Sequence, residues 1–201
     1  MRKNVERLVS DIVIELIKNK ITVIIEQTKE LHVSDNITCD GFFNDETFVC
    51  AVGKPVNTWL STFVHEYCHF LQMKENCKEH VEYSKNKTVA LIDDWIEDET
   101  LKISNVRIKR ACELIRDLEL DCEKRTVEKM KEYGVDFNEK QYIKSASAYI
   151  HFYNILPFQR TWFKKSPTKV NQILDMMPNS WDVSFDIPPG NYENLFLEHC
   201  T

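Results

Sequence analysis

The sequence predicts an α+β fold, with a small antiparallel-containing sheet followed by a mainly helical C-terminal half. Three observations carry that reading. Short β-branched and aromatic runs cluster between residues 21 and 52. Apolar residues recur at helical spacing before that region and nearly everywhere after it. Gly53-Lys54-Pro55 marks the change from one texture to the other.

Val5, Leu8, Val9, Ile12, Val13, Leu16 and Ile17 predict an amphipathic helix over 5–18. Ile21–Ile25 reads as a first strand, Asn36–Phe43 as a second and Thr47–Val52 as a third, with Asn44-Asp45 as the turn between the last two. Pro55 then suits the first turn of a helix over 56–74, because its missing N–H would have no intrahelical partner there. Further helices are expected over 87–98, 102–132, 138–156 and 168–176, with a short piece near 192–197. The tail from Phe158 to Thr201 carries no interpretable motif.

Hydrophobic residues make up 43% and charged residues 29% of the 201, so one globular domain spanning 1–201 is expected. Four glycines and six prolines argue against long flexible linkers. No apolar run approaches a membrane span, and the opening MRKNVERLVSD lacks a signal-peptide core, so the expectation is a cytoplasmic protein. A net charge of −6 argues against nucleic-acid binding through bulk charge, while leaving room for a local basic patch. Seven cysteines without a CxxC pair read as reduced thiols, although Cys39 and Cys50 bracket a hairpin and could approach one another.

The chemistry concentrates in His65-Glu66-Tyr67-Cys68-His69. Imidazoles four apart lie one turn apart on the same helix face and can share one zinc ion. Glu66 lies roughly 100° around the helix from His65, where it can act as general base without being a ligand. Trp59, Leu60, Phe63, Val64, Tyr67, Phe70 and Leu71 gather on one face, and the histidines fall on the opposite one. A catalytic zinc needs a third protein ligand. Glu119 is the foremost candidate, at the border of the stripe formed by Ala111, Leu114, Ile115, Leu118 and Cys122. Glu123 is expected a further 40° towards solvent. Glu123, Asp121 and His80 remain alternatives, whereas Asp93, Asp94 and Glu97 read as a solvated helix face. Tyr149, His151 and Tyr153 could supply an oxyanion donor or simply a packed aromatic face.

With a glutamate on a later helix, the His65–His69 helix resembles the gluzincin metallopeptidases. Glu119-Leu-Asp-Cys-Glu-Lys-Arg-Thr is also similar to the glutamate helix of small ImmA/IrrE-type peptidases of phages and bacteria. The resemblance covers roughly residues 36–75 and 110–130, and the separation of His69 from Glu119 departs from it. It implies a zincin-like fold and a zinc peptidase acting on a peptide or protein, in a host cytoplasm if phage-encoded. It also implies that Glu123 supports a histidine from behind. Thr47–Val52 is the expected edge for an extended substrate. The competing readings are a non-catalytic binding protein on the same scaffold, and a helical interaction protein anchored by Trp59, Trp95, Trp162 and Trp181.

Overall fold

The computed structural model describes residues 2–34 and 37–201, with the backbone alone at Val33, Ser34 and Ile37. Helix α1 (Arg2–Lys18) leads into strands β1 (Thr22–Glu26), β2 (Leu31–Ser34), β3 (Ile37–Cys39), β4 (Gly41–Phe43) and β5 (Thr47–Ala51). Then follow α2 (Val56–Glu75), α3 (Lys78–Lys85), α4 (Ile92–Glu97), α5 (Asn105–Glu132), α6 (Glu139–Gln159), α7 (Asn171–Met176) and α8 (Tyr192–His199). The fold is α+β, as the sequence predicts. The chain divides into two compact units, Met1–Cys77 with Cys122–Phe137, and Lys78–Asp121 with Asn138–Thr201.

In the first unit the strand order is β1-β5-β4, with β5 parallel to β1 and antiparallel to β4. Phe48, Val49, Cys50 and Ala51 are all buried, as befits a central strand covered on both faces. This corrects the expectation that Thr47–Val52 forms an edge: the edges are β1 and β4. The expected strand over 36–43 also divides, and Asn36 lies outside the described residues. Asp40 is the break. Its carboxylate accepts a bond from Lys54 at 2.5 Å and its carbonyl one from the Ala51 amide at 2.9 Å. On one side of it β3 pairs with β2 in a separate hairpin, and on the other β4 joins β5. Strand β2 had no sequence signal, because four residues are too few to establish an alternation.

Helix α2 packs its apolar face on β4 and β5, with Phe48 against Phe63 at 4.9 Å and Phe43 against Phe70 at 5.9 Å between ring centroids. Burying a side chain of that size contributes about 1.5–3 kcal/mol. The Pro55 carbonyl accepts the Thr58 amide at 2.8 Å to start α2, and Asn76 ends it in the left-handed conformation. Gly53 lets the chain enter the helix close to Thr28: a Cβ there would stand 2.5 Å from the Thr28 carbonyl oxygen.

The second unit is helical. Trp95, Ile108, Ala111, Phe152, Leu156 and Phe196 are part of its core, so the motif-free tail supplies packing. Arg160, in the left-handed conformation after α6, donates to the carbonyls of Trp95, Asp98 and Leu101 and stacks on the Trp95 ring. The expected helix over 87–98 is α4 preceded by a 3-10 turn over Val89–Leu91, and α3 was not foreseen. Among the described residues, no helix is long and apolar enough to cross a membrane.

Helix α1 is tied to α2 by Glu15, which accepts from the Tyr67 hydroxyl at 2.5 Å and from Lys74 at 2.6 Å. Burial works against the charge on Glu15, but Lys74 and Tyr67 outweigh it and hold its pKa below the ordinary glutamate value. A lowered folded-state pKa stabilises above the unfolded value and ceases to do so as pH falls through the folded one. Glu15→Gln should therefore cost about 1 kcal/mol at neutral pH, a figure kept small because Lys74 is well exposed. The difference from the parent should vanish in acid. Urea denaturation at pH 7 and pH 3 checks this, and an equal loss at both would assign the effect to packing.

Candidate functional site

His65, Glu66 and His69 stand on α2, and Cys122 and Glu123 on the last part of α5, all within the first unit. The two histidine rings are perpendicular, with their Nε2 atoms 3.1 Å apart. Each ring is held through its other nitrogen. His69 Nδ1 meets the Gln72 Oε1 at 2.9 Å, and His65 Nδ1 meets the Glu123 carboxylate at 3.3 Å. Such partners fix ring orientation and tautomer, and leave Nε2 to face a metal. Zinc bound tetrahedrally at 2.0–2.1 Å spreads two nitrogen ligands about 3.3 Å apart. The observed spacing fits.

Among the described residues, His65, His69 and Cys122 each place a ligand atom within 4.8 Å of the others, a group that could hold a metal ion. Cys122 lies on the Nδ1 side of His65, at 3.6 Å, and its thiol donates to the His65 carbonyl at 3.2 Å. One nitrogen of each ring together with the Cys122 sulfur makes up that group.

Electrostatics separate the two imidazoles. Burial pushes the His65 pKa down, but Cys122 and Glu123 outweigh it and hold it well above the usual histidine value. For His69, burial and then the charge of His65 lower the pKa to about 4, against the opposing pull of Glu66 and Gln72. The same burial thus acts on two imidazoles that their neighbours push in opposite directions. Glu66 lies towards the sheet, and its charge helps burial raise the thiol pKa values of Cys39 and of Cys50, the latter to about 12. Both cysteines are free thiols.

Three participants were missed from sequence. Gln72 is fully buried, three residues after His69, where helical spacing alone could have found it. Cys122 was read only as part of an apolar stripe. Gly41 leaves room for Glu66: a Cβ there would lie 2.9 Å from Thr62 Cγ2, 3.0 Å from the Val49 carbonyl and 3.2 Å from Glu66 Cγ. The expected solvent-facing position of Glu123 is corrected, since it is only 8% exposed beneath His65.

Glu119 lies half-buried on the portion of α5 in the second unit, where its charge joins burial and Tyr149 in raising the Tyr153 pKa. Asp121 belongs to the same portion. His80, on α3, has the Ser84 hydroxyl 3.3 Å from its Nε2. Asp93, Asp94 and Glu97 are exposed on α4. Tyr149 and Tyr153 share a 2.8 Å hydroxyl bond within the aromatic core, and His151 stacks on Phe185 with its pKa lowered to about 4 by burial and Arg116.

Gly41→Ala should lower stability by about 1–3 kcal/mol, because a backbone carbonyl and the Glu66 stem stand in the way of the new methyl. A denaturation midpoint unchanged from the parent would show that β4 does not press so closely on α2.

In comparisons with protein-family models, curated proteins and solved structures, none matches this chain.

Proposed function

We propose that the chain is a zinc-dependent peptidase, with His65 and His69 as metal ligands and Glu66 as general base. One observation carries this reading: two Nε2 atoms face each other at 3.1 Å with both Nδ1 atoms anchored, on the helix that also bears Glu66. Zinc in such a site supplies Lewis acidity, acidifying water and polarising a scissile carbonyl. Glu66 takes the proton from the attacking water on its carboxylate and passes it to the leaving amine. Gln72 and Glu123 keep the imidazoles aimed while that proton moves. An extended peptide would add to β4, the edge strand whose Gly41 adjoins the Glu66 stem.

The sequence pattern makes Glu119 the third protein ligand in this reading, with Glu123 one helical turn later supporting His65. Zinc is favoured over harder cations because imidazoles dominate the donor set.

Glu66→Gln should retain about one zinc per chain yet lose at least ~100-fold in hydrolysis of a peptide library followed by mass spectrometry. His65→Ala together with His69→Ala should lose the metal itself. Fragments released by Glu66→Gln at the parental rate would remove Glu66 as the base. Bound zinc with no fragments even from the parent would identify a non-catalytic binding protein on this scaffold.

Parallel zinc titrations decide the third ligand. Glu119→Ala should weaken binding by far more than Glu123→Gln or Cys122→Ser, for which losses of about 10–100-fold are expected. A larger loss in Cys122→Ser than in Glu119→Ala would transfer the ligand role to the sulfur.

A further inference from the structure

The chain is acidic overall, yet its second unit has an open groove of about 700 Å³ lined by Lys85, Lys87, Arg107 and Arg110 against the single carboxylate of Glu82. That carboxylate is engaged by Arg110 at 3.1 Å. Lys85, Lys87 and Arg107 have no carboxylate within ion-pairing distance among the described residues. Arg107 directs Nε and Nη2 to the hydroxyl of buried Thr88, at 3.2 and 3.0 Å, which fixes its guanidinium at the groove wall. Val106 and Arg107 belong to the first turn of the 28-residue α5, and that turn contains no acidic residue. The positive end of its dipole is therefore not offset by its own side chains.

The lining also states what kind of anion fits. Val106 is 80% exposed and Leu114 underlies the groove, so an apolar side chain has a place beside the cations. No aromatic residue lines it, so nucleic-acid bases would find no stacking surface. Four cations on one short groove also fall short of the long basic track that follows a phosphate backbone. We propose that this groove binds an acidic peptide segment, carboxylates meeting Lys85, Lys87 and Arg107 and an apolar residue resting on Val106. The site is separate from the histidine pair and does not depend on whether the chain cuts peptides.

Fluorescence anisotropy on the full chain in about 50 mM salt tests this, using a dye-labelled peptide that alternates glutamate with valine. Affinity should be at least about tenfold higher than for the same peptide with glutamine in place of glutamate. Lys85→Ala with Lys87→Ala removes two exposed side chains and should weaken binding by about tenfold. Lys140→Ala with Lys165→Ala, which removes equal charge outside the groove, should retain the parental affinity. Equal losses in the two double variants would reduce the effect to bulk charge. Equal affinity for the glutamine peptide would overturn the proposal, and so would tighter binding of a single-stranded oligonucleotide of the same charge.

Discussion

Two imidazoles on one helical turn meet usefully only if their rings are prevented from turning away, and much of the first unit serves that end. Left free, each ring would sample several rotamers, and a shared metal would have to order both. Gln72 restrains one ring from within α2, while Glu123 restrains the other from α5. Both restraining groups are buried, so each polar atom needs its partner as much as the histidine does. Helix α2 is consequently covered on two sides: its phenylalanines face the sheet, and its histidines face Cys122 and Glu123. The Glu15 clasp from α1 and the close approach at Gly41 brace the same helix.

What could be read from the sequence was local. The start of α2 at Pro55 and the four-residue spacing of its histidines depend on neighbours along the chain, and α2 forms within a residue of the expected bounds. Position in the sheet was not local. Strand β5 is last in sequence and resembles an edge, but β1 pairs with it in parallel from across the intervening hairpin. No pattern within five residues encodes that partner.

The misplacement of Glu123 arises because a stripe drawn through apolar residues alone understates the face that α5 buries. Ala111, Leu114 and Leu118 are buried, but so are Cys112 and Arg116, which bracket the direction of Glu123 on the helical wheel. Cys122, Thr126, Val127 and Met130 continue that enclosed face along the helix. Net charge misleads in the same way, because a total of −6 conceals the cationic groove beside Lys85.

The interleaving of the two units has a consequence for how the chain emerges from a ribosome. The sheet, α1 and α2 are complete once Cys77 has been made, but their remaining part begins only at Cys122. At about 5–20 residues per second, the stretch from Lys78 to Asp121 takes on the order of several seconds to synthesise. Throughout that interval the histidine face of α2 lacks the cover of Cys122 and Glu123. The nascent first unit must wait with that face open, so the order of synthesis places assembly of the histidine site after translation of the first half of α5.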